Sequence, residues 1–294
     1  MYYFLAICSF ILSCSPYKQH PVPPKNTNTN VPYQINFPDK SFDLPAELKE
    51  ASGLTVTSNP KIISIVQDEE GAIYNFDIEK NVISNKIIFL DKGDFEGIEA
   101  INDSLYYAVK SSGTIYKINI KNGVATPTKI STPLNKSYDV EGLTYDVISK
   151  NLLLCCKGPG ADSNSITRKT FTYNIENQQF NETPYFEISD DLIQNYFKKY
   201  PEAISNFETT HLRFGPSGIA IHPFTKDIYI IASSGKLFIV LDAKNKAIIH
   251  LEKIDKKVHP QPEGIAFDPK GNMYICDEGK KGGAGKLSIY YSKK

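Results

Sequence analysis

A short motif occurs five times along this chain, and its spacing constrains the fold more than any other feature. In each copy one residue, often a carboxylate or serine, precedes a glycine, and Leu or Ile then begins an apolar run. Successive motif glycines are 44, 45, 76 and 46 residues apart. A repeat of about 40–50 residues with several strands per copy is typical of a β-propeller blade. The motif glycines are Gly53, Gly97, Gly142, Gly218 and Gly264.

The apolar runs between the motifs predict four strands for each blade. Between Gly53 and Gly97, four runs are separated by turns rich in Asn, Pro, Gly, Asp and Glu, and the next interval repeats this order. The 76-residue interval fits two short blades or one blade with an insertion. Ser189 is a suitable helix N-cap, apolar residues follow at helical spacing, and Pro201 ends the run. We therefore predict an all-β, five-bladed propeller with one helix inserted near 189–201; six blades are the alternative.

The last blade lacks one strand, because only three apolar runs follow its motif. Residues 33–37 alternate apolar and polar side chains and have no partner of their own. We expect this segment to pair with the last blade, which would close the ring and cover two exposed sheet edges. The propeller domain would then span residues 32–294.

The N-terminal residues are typical of an export signal. Residues 4–12 form an apolar run too short to span a bilayer, and residues 11–14 resemble the lipobox of bacterial lipoproteins. We expect a signal peptide over residues 1–14, lipidation of Cys14, and a polar tether over residues 15–31. A plain secretion signal is the alternative. These features predict a lipoprotein of the cell envelope, anchored on the periplasmic side of the inner or outer membrane.

The overall composition argues against several partners and sites. Lysine and arginine together number 33, as do aspartate and glutamate, so no net field favours nucleic acid or an anionic membrane surface. Membrane contact would come from the lipid anchor alone. The histidines lack zinc spacing, and we identify no nucleophile elbow and no catalytic residue. Cys155, Cys156 and Cys276 fall in apolar strands and are interpreted as buried hydrophobic residues.

The candidate site is one mouth of the central channel. The first strand of each propeller blade lines this channel, so the residue before each motif glycine faces the same mouth. In three blades this residue is a glutamate: Glu96, Glu141 and Glu263. Positions two residues earlier, and the ends of the second strands, return to this mouth. Together with one motif serine they give the other candidates: Glu50, Asp68, Asp94, Lys110, Asp139, Lys157, Ser217, Asp277 and Glu278.

Carboxylates crowded around a narrow channel repel one another and need a cation, a proton or a lysine partner. An all-oxygen donor set without histidine or thiolate suits a hard ion, and calcium accepts an irregular cage of such ligands. We therefore predict that the three glutamates Glu96, Glu141 and Glu263 bind calcium. The alternative is that the glutamates accept hydrogen bonds from backbone amides of neighbouring blades and brace the ring.

The ordered motifs at 50–54, 94–99, 139–143, 216–223 and 261–269 resemble those of the SdiA-regulated family. These are bacterial envelope proteins distantly similar to NHL-repeat propellers. The resemblance covers residue 40 to the C-terminus and implies a five-bladed propeller with a calcium site. It places calcium at the motif glutamates Glu96, Glu141 and Glu263, with Glu50 as a further ligand. It implies no established reaction. The predicted helix at 189–201 lies outside the family's pattern.

Two classes of function are consistent with these patterns. The first is a non-catalytic, calcium-binding module that binds an unknown small molecule or protein at the channel mouth. The second is a calcium-dependent hydrolase acting on a lactone or a phosphate ester, in which the metal would polarise the substrate and a free carboxylate would act as base. Carboxylates without a recognisable nucleophile favour the binding module.

Overall fold

The computed structural model describes residues 31–204, 213–279 and 282–293. Twenty strands form five four-stranded antiparallel sheets. Blade 1 contains β2 (Ala51–Val56), β3 (Ile62–Gln67), β4 (Gly71–Asp77) and β5 (Val82–Leu90). Blade 2 contains β6 (Phe95–Asn102), β7 (Leu105–Lys110), β8 (Ile115–Lys121) and β9 (Val124–Ile130). Blade 3 contains β10 (Val140–Asp146), β11 (Asn151–Cys156), β12 (Thr167–Asn174) and β13 (Gln179–Ser189).

The remaining two sheets complete the ring. Blade 4 contains β14 (Gly215–Ile221), β15 (Ile228–Ser234), β16 (Leu237–Leu241) and β17 (Ile248–Lys253). Blade 5 contains β18 (Pro262–Phe267), β19 (Met273–Asp277), β20 (Lys286–Tyr290) and β1 (Lys40–Asp43). The first strands β2, β6, β10, β14 and β18 contact one another in this order, and β18 contacts β2. The predicted five-bladed propeller is therefore confirmed.

Blade 5 is closed from the N-terminal side, but by a different segment from the one that the sequence suggested. Strand β1 pairs antiparallel with β20, with Lys40 opposite Ile289 and Asp43 opposite Lys286. The prediction that residues 33–37 form this strand is wrong. These residues make a turn in which Phe37 N–H donates to Gln34 O at 2.8 Å, while Tyr33 and Ile35 are buried between blades 4 and 5. Their alternation therefore reflects packing between blades.

Five hydrophobic clusters occupy the five gaps between neighbouring blades. Each cluster combines inward-facing residues of two adjacent sheets, as expected when strands alternate their side chains between two buried faces. Cys155, Cys156 and Cys276 are buried there and free, as the sequence predicted. Burial of apolar surface between successive blades thus holds the ring together.

The inserted helix is α1 (Asp190–Lys199), and it begins where the sequence indicated. Ser189 Oγ accepts a hydrogen bond from Leu192 N–H at 3.1 Å, which satisfies one free donor of the first turn. Ile193 and Phe197 bury their side chains in the core between blades 3 and 4. Within the ranges given above, no helix is long and apolar enough to cross a membrane. Residues 1–30, with Cys14 and most of the predicted tether, lie outside the described residues.

The motif glycines permit the first strands to approach one another closely at the axis. A Cβ atom on Gly53 would lie 2.8 Å from Gly97 Cα, and one on Gly97 would lie 2.7 Å from Leu143 Cβ. On Gly264 it would lie 3.1 Å from Leu54 N, in the next blade. A larger residue at these positions must push adjacent blades apart.

We expect Gly97→Ala to destabilise the fold by about 1–3 kcal/mol, the usual effect of overpacking a close contact. The new methyl group would also lie 2.9 Å from the backbone nitrogen of Leu143, which has little freedom to move. Chemical denaturation of wild type and variant measures the difference. Gly123→Asn is the control, because a Cβ there meets nothing within 4 Å and Asn tolerates positive φ. Equal losses for both variants would contradict this packing argument.

Candidate functional site

A narrow channel runs along the axis where the five first strands meet. It is lined by motif glycines, by the Leu and Ile residues that follow them, and by Glu96, Glu141 and Glu263. Its free volume is about 10 Å³. This space holds about one water molecule or one ion. The structure therefore brings the three motif glutamates to one channel, as predicted.

The two motif serines behave differently from the three glutamates. Ser52 Oγ donates to Phe95 O at 2.5 Å, and Ser217 Oγ donates to Pro262 O at 2.6 Å. Each hydrogen bond joins a first strand to the first strand of the next blade. Both serines are buried. Ser217 thus braces blades 4 and 5, and its hydroxyl is engaged there rather than open to the mouth.

Glu141 has a cationic partner inside the channel. Lys157 Nζ lies 2.9 Å from Glu141 Oε1, and the Glu141 side chain is only 10% exposed. Burial raises the pKa of Glu141 to about 7, although the nearby Lys157 charge opposes this rise. Burial lowers the pKa of Lys157, but pairing with Glu141 outweighs burial and leaves this pKa raised overall. One carboxylate of the three is therefore neutralised by the protein itself.

Among the described residues, no lysine forms an ion pair with Glu96 or Glu263. Burial, followed by the charges of Glu141 and Asp94, raises the pKa of Glu96 to about 10. Burial and then the Glu141 charge raise the pKa of Glu263 to about 8. In the absence of a cation, protons neutralise these two glutamates.

One carboxyl oxygen of Glu263, Oε2, has an unusual environment in the channel. The residue is 7% exposed, and its Oε2 atom is buried without a hydrogen-bond partner among the residues that the structure describes. Gln261 makes a side-chain hydrogen bond to the same carboxyl group. A buried carboxyl oxygen without a partner is costly, and such atoms in native proteins usually bind a water molecule or an ion.

The candidates beyond the three glutamates have different partners. We call Glu50, Asp68, Asp139 and Glu278 the outer tier. Glu50 accepts a hydrogen bond from Lys49 at 2.7 Å, and Gln261 donates to Glu278. Burial raises the pKa of Asp68, and the charge of Glu50 adds to this rise. Burial also raises the pKa of Asp139, which adopts a positive φ of 49°. None of these residues lines the described channel, and their role at the mouth stays a prediction.

Two predicted mouth residues face other partners. Lys110 Nζ lies 5.0 Å from the ring centre of Phe95 and 5.7 Å from that of Tyr116, which are cation–π contacts outside the axis. Asp277 is 1% exposed and lies 2.7 Å from His259 Nδ1. The other nitrogen of His259 is bonded to Tyr290 at 2.5 Å. Asp277 thus belongs to a buried network within blade 5, which the scattered histidines of the sequence did not indicate.

Sequence reasoning also missed Glu99, which lies two residues beyond the motif glycine. Thr55 Oγ1 lies 3.5 Å from Glu99 Oε1, and Thr144 also makes a side-chain hydrogen bond to Glu99. Burial raises the pKa of Glu99 to about 8, despite hydrogen bonds that favour the ionised form. A signal was available, because the other blades have Thr or Ala at this position: Thr55, Thr144, Ala220 and Ala266.

The donor chemistry of the channel fits calcium in part. All candidate ligands are oxygens, and the orphaned Glu263 oxygen lies beside an ion-sized space. In the part of the chain that the structure describes, however, no group of three or more His, Cys, Asp or Glu side chains is placed to hold a metal ion. The three glutamates share the channel without converging on one point.

Comparison with known proteins supports the fold. No protein-family profile matches the sequence, and no curated protein matches it. Among solved structures, the propeller is similar to glutaminyl cyclase of Myxococcus xanthus, with a TM-score of 0.54 and 9% identity over 86% of this chain and 95% of that chain. A luciferin-regenerating enzyme has a TM-score of 0.48 and 12% identity, over 85% and 94% of the two chains. At these identities the likeness shows a β-propeller fold alone.

We expect the buried Glu99 carboxyl to make stability depend on pH. Its folded pKa of about 8 is above the usual value of 4.5, so the folded state binds the proton more tightly. The contribution of Glu99 is full below pH 4.5 and is lost as pH rises through 8. Glu99→Gln keeps the size of the side chain but removes its charge, so the variant should lose less stability as pH rises. Melting temperatures measured from pH 5 to 9 test this expectation, and the exposed Glu79→Gln variant is the control. The same dependence of melting temperature on pH in wild type and Glu99→Gln would refute it.

Proposed function

We propose that this protein is a lipid-anchored, calcium-binding propeller of the cell envelope that binds a small molecule or a protein at the channel mouth. The observation that carries the calcium assignment is the buried Oε2 atom of Glu263, which has no hydrogen-bond partner among the described residues. A cation beside this atom would supply such a partner. Glu96 and Glu141 line the same space and would be the other axial ligands, with Glu50 at the outer tier.

Charge balance favours a divalent ion. When Glu96, Glu141 and Glu263 are all ionised, Lys157 offsets one of the three negative charges and leaves two. A divalent cation would neutralise these two charges without protons, and calcium accepts carboxylates in irregular geometry. Protons and calcium would then compete for Glu96 and Glu263, since burial and the Glu141 charge raise the pKa of both carboxyl groups and a bound cation would oppose this rise.

The narrow axis favours binding over catalysis. The free volume beside the glutamates is about 10 Å³, which a substrate cannot enter. A catalytic metal needs an open coordination position that a substrate atom can reach. An ion on the axis would therefore organise the mouth, and the ligand would contact the outer tier. The hydrolase alternative receives no specific support from this geometry.

The route of the chain is consistent with attachment through Cys14. Tyr33 OH donates to Gly271 O at 2.5 Å, in the turn between β18 and β19. This turn lies at the opposite end of β18 from Glu263, so the N-terminal segment reaches the ring on the side away from the mouth. An anchored propeller would thus keep its mouth free for a ligand.

We expect calcium to raise the melting temperature of the purified full-length protein. An ion that binds only the folded state stabilises it by about 2.7 kcal/mol at a hundredfold excess over its dissociation constant. Glu263→Gln should weaken binding, because it removes a charged ligand while keeping the side-chain size. Calorimetric titration with calcium, and melting curves with and without chelator, measure both effects.

The matched control for this titration is Glu79→Gln. Glu79 has an exposed side chain and lies in the turn between β4 and β5, at the end of the ring away from the mouth. Its calcium response should equal that of wild type. A wild-type protein that binds no calcium, or a Glu263→Gln variant that binds it equally well, would contradict the metal assignment.

We expect Cys14→Ser to move the protein from the membrane fraction to the soluble fraction of the cell envelope. The lipid on Cys14 would be the main attachment to the membrane, because buried methylene groups supply its affinity, so its loss should be visible on fractionation. Cys8→Ser, inside the apolar run, is the matched control and should stay in the membrane fraction. If Cys14→Ser fractionates like wild type, the lipoprotein assignment is wrong.

A further inference from the structure

The face of the ring opposite the mouth has an apolar character that the calcium site does not explain. We call it the far face, and it consists of the turns 57–61, 78–81, 103–104, 122–123, 147–150, 175–178, 222–227, 242–247 and 268–272. Every first strand starts at the mouth and ends at this face, so all these turns lie on one side of the ring. The described chain also begins at this face, because Tyr33 is hydrogen-bonded to Gly271 and to His222.

Exposed apolar side chains are concentrated at the far face. Ile148 is 71% exposed and Phe224 is 59% exposed, both at the tips of far-face turns. Each of the five blades contributes at least one such side chain. In the described part of the chain, those at or beside far-face turns or strand ends are Val82, Val124, Val147, Ile148, Phe224 and Tyr291. Toward the mouth, the described exposed large apolar residues are Ile166 and Leu192, together with Ile88 and Tyr185 in the mouth halves of β5 and β13.

An apolar pocket opens on the same face, between blades 5 and 1. Its free volume is about 160 Å³, close to that of an engineered cavity known to bind benzene. Val56, Pro60, Ile62, Pro269 and Tyr274 form much of its wall. A methylene chain or a small hydrophobic group would fit this space.

Apart from the Lys270 ammonium group, the main polar side chains of the pocket wall are already engaged within the protein. Asp268 accepts hydrogen bonds from Lys270 N, Asn272 N, Asn272 Nδ2 and Tyr274 OH at 2.7–3.3 Å. Thr57 Oγ1 lies within hydrogen-bond distance of backbone carbonyls of its own turn. The pocket therefore favours an apolar occupant, since a polar one would lose hydrogen bonds to water without replacement.

Charge on the far face is nearly balanced. Its turns contain seven lysines and six carboxylates. Lys61 lies 2.7 Å from Glu79, and Lys80 lies 3.2 Å from Asp77, so several of these charges pair locally. A strongly charged partner such as nucleic acid gains little from this surface. Exposed apolar side chains among paired charges match a partner surface whose outer layer is polar and whose interior is apolar.

We infer that the far face docks on a phospholipid bilayer, with the exposed apolar tips inserted at the interface and the pocket open to an acyl chain. The bilayer is the occupant that the route of the chain favours, because the apolar run at 4–12 and Cys14 precede the segment that starts at this face. This inference rests on the proposed attachment for its location. Attachment holds the propeller near the membrane, so weak contacts at the far face suffice to orient it.

The chain contains no tryptophan, so a single introduced tryptophan reports its own surroundings. We would place the full-length lipoprotein in phosphatidylcholine vesicles that carry a quencher on the acyl chains. Phe224→Trp and Ile148→Trp should show blue-shifted emission and strong quenching. Ile88→Trp, at the side of the ring and 58% exposed, and Ile166→Trp, at the mouth and 49% exposed, are the matched controls and should show neither effect.

A second variant tests whether the tips themselves hold this orientation. Ile148→Asp, combined with Phe224→Trp, should lower the quenching at least twofold, whereas Ile88→Asp in the same background should leave it unchanged. Vesicle sedimentation of each sample shows separately whether the anchor holds. A sedimenting protein whose four tryptophan positions are quenched equally, or not at all, would overturn the docking surface while leaving the anchor intact.

Other occupants have distinct outcomes in the same experiment. A blue shift of Phe224→Trp without vesicles, together with a dimer by size-exclusion chromatography, would assign the far face to a second copy of the chain and overturn the membrane assignment. A protein that does not sediment with the vesicles would contradict the proposed attachment through Cys14. Added vesicles that still quench Phe224→Trp selectively would then support the docking surface independently of the anchor.

Discussion

The close approach of five backbone strands at one axis is the constraint on which the rest of this structure depends. Each first strand places its motif glycine against the first strand of the next blade, as Gly53 does against Gly97 and Gly264 against Leu54. The absence of side chains at these points sets the diameter of the ring. The gaps between blades then have a fixed width, and the five hydrophobic clusters fill them. The propeller is thus a ring of sheets whose spacing is determined at its narrowest part.

The same narrowness creates the chemistry of the channel. Glutamates placed directly before the motif glycines are held close together and largely away from water, so burial raises the pKa of each of them. Their surroundings differ. Lys157 forms an ion pair with Glu141, the charge of Asp94 adds to the raised pKa of Glu96, and one oxygen of Glu263 has no partner among the described residues. The hydroxyls of the serine braces Ser52 and Ser217, in contrast, donate hydrogen bonds to the next blade.

Strand direction divides the molecule into two faces. Because every blade begins at the mouth, the motif carboxylates gather on one side, and the turns that follow the first and third strands gather on the other. These turns carry charged residues and also exposed apolar tips such as Ile148 and Phe224, beside an apolar pocket. The described N-terminal segment contacts the ring on that side through Tyr33. The proposed ligand site at the mouth and the proposed membrane-facing surface therefore do not compete for space.

The sequence by itself determined the number of blades, the place of α1 and the set of glutamates on the axis, because the spacing of a repeated motif reports positions that are equivalent in every blade. It could not determine which segment closes blade 5. Alternating apolar and polar residues, as at 33–37, can mark an edge strand or a segment packed between blades, and the sequence does not distinguish the two. In the folded ring, residues 33–37 pack between blades 4 and 5, and β1 pairs with β20. The sequence also could not separate Asp277 from the other predicted mouth residues. Its partner His259 lies outside the repeated motif, so no spacing rule links the two residues. The tertiary structure decided these points, because hydrogen bonds and burial depend on which residues the closed ring brings together.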